Sequence, residues 1–202
     1  KVTKRLQQEG YDAVFVPKGY DQTLLHDLKI NRDIELAFLG STKSAAYSGR
    51  KALLEELSQV ENLIVTRTNS GEDYLNTMNR IKFFVSADVG MGEYMIKNFE
   101  AMACGCVLIS YDQGQEENNA LGFEDMKNLV LYKDIDELRS KLNTLRKSPY
   151  LANEIANNGR QLVERRFTFE RLGADIVEAM RPPLREAEQP GWISCLRNKL
   201  GI

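Results

Sequence analysis

Short runs of apolar residues recur along the chain, separated by longer stretches in which aliphatic side chains return every three or four positions. The runs are DAVFVP (12–17), IELAFLG (34–40), NLIVTR (62–67), KFFVSAD (82–88), CVLISYD (106–112) and NLVLYKD (128–134). They are apolar with little alternation, which predicts strands buried on both faces, as in a parallel sheet. The intervening stretches predict amphipathic helices over 1–10, 50–60 and 70–81, with Ser70 capping the last of these. A small-residue helix ends at Gly105, and three further helices are predicted over 136–148, 150–166 and 168–180. Residues 18–33 read as a connection with one helical turn, and YDQGQEENNALGF (111–123) reads as a loop. Strands alternating with helices specify the α/β class with a doubly wound parallel sheet. The pattern breaks only after Met180, where RPPLREAEQPG leads into a short tail.

Composition narrows the function classes. The 202 residues suit one domain with a short appendage. Twenty-seven basic against 29 acidic side chains leave a net charge of -2, so no nucleic-acid footprint is expected. No run reaches the 18 or so apolar residues of a membrane span, and no secretory segment is present. The three cysteines are odd in number, and Cys104 and Cys106 are too close in sequence to bridge well, which points to a reducing cytoplasm. His26 is the single histidine, so neither a His-based metal cluster nor a Ser-His-Asp triad can be assembled, and no metal site is expected. The first residue is Lys within a helical pattern, which suggests a piece of a longer protein.

In such sheets ligands bind at the carboxyl ends of the strands. GSTKSAAYSGR (40–50), RTNSGED (67–73) and VGMGEYMIKNFE (89–100) are the loops placed there. Gly90-Met91-Gly92 lacks the full dinucleotide spacing and no P-loop is present, so the glycines serve as turns as readily as a phosphate cradle. Lys43, Arg50 and Arg67 lie in or beside these loops, where they can meet a diphosphate; an exposed helix start explains Arg50 equally well. Glu100 is the unusual feature. It sits at the start of a small-residue helix among Phe99, Ala101, Met102 and Ala103, where burying a carboxylate costs free energy unless it is paired.

The stretch YMIKNFEAMACGCVLIS (94–110) resembles the donor-nucleotide motif of GT-B glycosyltransferases, in the group 1 or family 4 and spore-coat glycosyltransferase-like branch: a Lys or Arg, then F-E-A-x-A-C-G, then a strand. VFVPKGYD (14–21) resembles the segment joining the two halves of those enzymes, and the resemblance extends over roughly residues 11–180. It implies a Rossmann-like C-terminal half of a GT-B fold. Residues 1–33 would then be the end of the N-terminal domain and the connection, 34–180 the nucleotide-sugar-binding domain, and 181–202 a linker and short amphipathic tail. Glu100 is implied to accept the two ribose hydroxyls, and Lys97 to meet the diphosphate together with helix-start amides. Gly92, Glu93, Tyr94, Met95 and Ile96 are implied to make sugar or loop contacts. Pairing with a lysine, or with the positive end of the helix, is the alternative for Glu100, and a solvated surface the alternative for Lys97. One position departs from the family pattern: eight residues before Glu100, where family 4 enzymes carry a second glutamate, stands Gly92, with Glu93 one residue off.

The expected activity is transfer of a hexose from a nucleotide sugar, a substrate rather than a cofactor, to a glycan, lipid-linked or protein acceptor. Retention at the anomeric carbon and metal independence are implied, the catalytic residues are not identified, and the acceptor half lies in the missing N-terminal domain. A non-catalytic nucleotide-binding module in envelope or spore-coat assembly, or a sugar-nucleotide epimerase, are the alternatives. Asp112 is expected near the ligand edge, and Cys104 and Cys106 are expected to be buried. In the tail, Trp192, Ile193, Leu196 and Leu200 share one helical face, suited to packing on the other domain or to resting peripherally on the inner face of a membrane.

Overall fold

All but the first of the apolar runs become strands, because each has a neighbour to share its backbone hydrogen bonds. The computed structural model describes residues 2–44 and 47–182. Its sheet contains β1 (Ile34–Leu39), β2 (Ile64–Thr66), β3 (Ile81–Ser86), β4 (Val107–Tyr111) and β5 (Val130–Tyr132) in the order β2-β1-β3-β4-β5. Every pair is parallel, with Ala37 opposite Ile64, Leu36 opposite Phe83, Phe84 opposite Leu108 and Ile109 opposite Val130.

Alternate residues of the central strands enter two separate cores. Leu36, Phe38, Phe83, Val85, Val107 and Ile109 face α2 (Ser48–Val60) and α6 (Ile135–Lys147), whose Leu54, Leu57, Leu138, Leu142 and Leu145 are buried. Ala37, Leu39, Phe84 and Leu108 face the other way, toward α3 (Glu72–Arg80), α4 (Ile96–Ala103) and α7 (Pro149–Arg166). From β1 through β5 the sheet is therefore covered on both faces, which explains strands that are apolar throughout rather than alternating; the edge strand β2 departs from that expectation, with Ile64 and Val65 exposed. Helices α1 (Val2–Gln8), α5 (Gln115–Leu121) and α8 (Phe169–Ala179) complete the described residues. None of the described helices is long and apolar enough to cross a membrane.

Three sequence expectations are corrected. Residues 12–17 form no strand, and Val14, Phe15 and Val16 are exposed. This segment pairs with no strand of the sheet, and Pro17 has no N–H to offer. Beyond it the connection joins the body, through the Lys18 side chain and through backbone bonds of Tyr20 with Phe167 and Phe169. The stretch after β4 holds a helix, α5, rather than a loop throughout. Asp112 accepts hydrogen bonds from the Gly114 amide and the Asn118 side chain, and so steadies the start of that helix. Finally, the N-cap of α3 is Gly71, at φ 82°, rather than Ser70. The carboxylate of Asp73 reaches back to the Asn69 amide, giving the turn a different closure. The tail residues Trp192, Ile193, Leu196 and Leu200 lie outside the described residues.

Candidate functional site

The strand order reverses direction between β1 and β3, and their carboxyl ends open a crevice at that switch point. A cleft of about 680 Å³ lies there. Its walls come from Gly40 and Ser41 after β1, residues 68–71 before α3, Tyr74 on α3, Met95, Ile96 and Lys97 at the start of α4, and Glu100 one turn into it. Lys18, Tyr47, Arg50 and Arg67 complete it.

Glu100 is the fifth residue of α4, one turn in rather than at its start, so the helix dipole does not account for its charge. Its carboxylate is partly buried, and Oε2 accepts the hydroxyl of Tyr74 at 2.5 Å. No bond or ion pair joins it to Lys97. That lysine instead lies over the Tyr74 ring, Nζ 4.5 Å from the centroid, and donates to the Tyr74 hydroxyl at 3.3 Å. Burial lowers the Lys97 pKa; the nearby Glu100 charge opposes the shift, and Arg50 and Arg67 add to it. Lys97 thus lies within reach of the charges of both Arg50 and Arg67. Lys97 is half-buried, not a solvated surface group.

Arg50 is also not exposed. Its guanidinium pairs with buried Asp88 at 2.7 Å, donates to the Ser41 carbonyl, and stacks over Tyr47 with 4.1 Å to the centroid. Asp88 is held in turn by the Ser86 hydroxyl at 2.7 Å and lies near the Asn98 amide. An ion pair this deep is expensive to break, since either partner alone would be an uncompensated buried charge. It fixes Arg50 beneath the loop after β3. The Nε of Arg50 is buried without a hydrogen-bond partner among the described residues.

The other candidates divide. Arg67 lines the cleft and is exposed. Lys43 is exposed on the loop after β1 and is not among the residues that line the cleft. Gly90 and Gly92 take positive φ, 75° and 70°, and make the turn that leads to α4. Glu93 points to Lys18, 2.8 Å away, and Lys18 also reaches the Met95 sulfur, tying the connection to this loop. Tyr94 is a core residue: its ring packs edge-on against Phe123 and its hydroxyl donates to Asn118. Met95 and Ile96 line the cleft, and α4 starts without a side-chain cap, its first bond running from the Asn98 amide to the Met95 carbonyl. That leaves the Ile96 and Lys97 amides for a ligand. Asp112 lines a different depression, beside α5 and β5. Cys104 and Cys106 are buried free thiols, and burial pushes Cys106 up to about 12. Tyr74, Asp88 and Lys18 were not predicted; no spacing signal marks them, because each enters the site only through the packing of distant segments.

The sequence profile described as glycosyl transferase-like matches residues 20–178. The chain belongs to the glycosyl transferase-like family. Among solved structures it is similar to a glycosyltransferase from Rickettsia africae ESF-5 (12% identity, TM-score 0.67, covering 89% of this chain and 62% of that one). It is also similar to HepE from Anabaena, in complex with UDP and glucose (14% identity, TM-score 0.63, 82% and 55%). Sucrose-phosphate synthase from Thermosynechococcus elongatus matches at 15% identity and TM-score 0.61, over 88% of this chain and 55% of that one. This member of the family thus spans only about half the length of that synthase and of HepE. Its fold is the Rossmann-like C-terminal half of GT-B glycosyltransferases. No curated protein matches it.

Proposed function

We propose that this chain is the donor-binding half of a glycosyltransferase that moves a sugar from a nucleotide sugar to a glycan, lipid-linked or protein acceptor. One observation carries the reading: a carboxylate, Glu100, and three cations, Lys97, Arg50 and Arg67, share one cleft at the switch point of the sheet. The carboxylate suits the hydroxyls of a ribose, and the cations together with the free amides of α4 suit a diphosphate. As the glycosidic bond breaks, negative charge grows on the departing diphosphate, and fixed positive groups stabilise it without reorganising. Tight fixation of Arg50 by Asp88 serves that purpose. Within this reading a divalent ion is not needed, the acceptor is held against a preceding domain, and the enzyme works in the cytoplasm, peripherally at the inner membrane face when the acceptor is lipid-linked.

HepE was solved with UDP and glucose, which makes uridine nucleotides the first probes. A thermal-shift panel of UDP-, GDP-, ADP- and dTDP-sugars tests the reading, because a ligand bound only to the folded state raises the melting temperature with concentration. At least one donor is expected to raise it. Glu100→Gln, which keeps an acceptor for Tyr74 but removes the charge, is expected to weaken that donor by roughly 1–3 kcal/mol with ligand-free melting nearly unchanged. A panel with no shift would overturn the donor site.

Gly92 favours a second reading, a nucleotide-binding module that transfers nothing, since the position lacks an acid and the neighbouring Glu93 is held by Lys18. Donor hydrolysis by the full-length protein excludes it.

A further inference from the structure

The hydroxyl of Tyr74 is the one donor bonded to the Glu100 carboxylate among the described residues, and it bonds only Oε2. An ionised carboxylate has about four lone-pair sites, so Oε1 and part of Oε2 are left for ligand donors. Held at one oxygen by a half-buried phenol, the carboxylate has a defined orientation before any ligand arrives. Burial and the adjacent Glu100 charge push the Tyr74 pKa up, so the phenol keeps its proton and remains a donor. Its oxygen meanwhile accepts from Lys97 Nζ, and its ring lies under the same ammonium. One side chain therefore touches both the carboxylate and the cation of the cleft.

We infer that Tyr74 is the positioning residue of this site, setting Glu100 for a vicinal pair of ribose hydroxyls and Lys97 for the diphosphate, so that the cleft selects ribonucleoside over 2′-deoxyribonucleoside diphosphates. The inference rests on the donor-site reading. A carboxylate preset for two hydroxyls rejects a ligand with one, because the unmatched oxygen stays desolvated without a partner. Loss of the Tyr74 hydroxyl frees the carboxylate to turn toward solvent and lowers that penalty. Two substitutions divide the hydroxyl from the ring: Tyr74→Phe removes the bonds to Glu100 and from Lys97 and keeps the ring surface under Lys97, whereas Tyr74→Leu removes the ring surface as well.

The test is calorimetric titration of the chain with UDP, 2′-deoxy-UDP and uridine, and with the guanine and adenine equivalents, on wild type and both variants, with melting temperature as the control for folding. Wild type is expected to bind at least one ribonucleoside diphosphate about tenfold or more tighter than its 2′-deoxy counterpart. Tyr74→Phe is expected to shrink that ratio several-fold while keeping the preference for diphosphate over nucleoside. Tyr74→Leu is expected to lose both preferences. The inference is overturned if wild type binds the ribo and deoxy ligands equally, or if Tyr74→Phe keeps the wild-type ratio. It is also overturned if both variants lower melting and weaken all ligands in proportion, the behaviour of a purely structural link between α3 and α4. Binding of none of the nucleotides by wild type overturns the donor-site reading itself and the inference with it.

Discussion

Lys97 carries its charge against opposing influences: burial and the neighbouring Arg50 and Arg67 favour the neutral amine, and Glu100 favours the ammonium. The net effect is a folded-state pKa below the ordinary lysine value of about 10.4. Between the two values the unfolded chain still holds the proton that the folded one has lost, so stability rises with pH there and levels off once the unfolded chain is deprotonated too. Ligand affinity runs the other way. Binding of a nucleoside diphosphate is expected to fall on the alkaline side of neutrality at a lower pH than an ordinary lysine would dictate. Lys97→Ala is expected to flatten that fall, and to cost more affinity for the diphosphate than for the nucleoside. Titrations from neutral to alkaline pH check both; equal losses for the two ligands would place Lys97 away from the diphosphate.

Helix α7 crosses α4 and the approach to β5 at Gly159. A methyl group there would lie 2.5 Å from the Asn128 carbonyl oxygen and 3.2 Å from the terminal methyl of Met102. Backbone cannot swing aside as the end of a side chain can, so the helix would have to lift from the segment before β5. In an exposed helix, alanine in place of glycine gains about 1 kcal/mol. Here the clash outweighs it, and Gly159→Ala is expected to destabilise by about 1–3 kcal/mol in urea unfolding. A stabilised variant would mean the helices approach less closely than described. The other ends of these elements follow local rules: Asp134, Ser148 and Thr168 cap α6, α7 and α8 with their side chains, and Pro149 opens α7.

A single sheet divides the molecule into two cores, and neither can keep its strands if the other dissolves. Leu57 lies in the core beneath α2 and Met102 in the core beneath α4, both fully buried. Leu57→Ala and Met102→Ala are each expected to cost about 2–5 kcal/mol. Both are expected to shift one shared transition, with far-ultraviolet and tyrosine near-ultraviolet signals coinciding. A second transition in either variant would show that one layer folds without the other.

The α/β class, the strands from β1 onward, the helices α1 to α4 and α6 to α8, and the place of Glu100 and Lys97 at the carboxyl edge of the sheet were legible in the order of residues alone. Burial on both faces of a strand, helical periodicity and capping side chains are local properties, written within a few positions of where they act. The F-E-A-M-A-C-G motif is local in the same way. What the chain order did not reveal depends on partners far away in sequence. Residues 12–17 have strand-like composition, yet a strand exists only where another strand meets it, and among the described residues none does. Tyr94 lies within the loop that suggested a sugar contact, but packing against Phe123 and Asn118 turns it into the core. Arg50 reads in sequence equally as a diphosphate contact or an exposed helix start, and only Asp88, from beyond the end of another strand, draws it inside. Tyr74 carries no motif at all; only the packing of α3 beside α4 brings its hydroxyl to Glu100. Local sequence decided which elements form, and tertiary contact decided which of their side chains share a cleft, because charge pairing and burial act through space rather than along the chain.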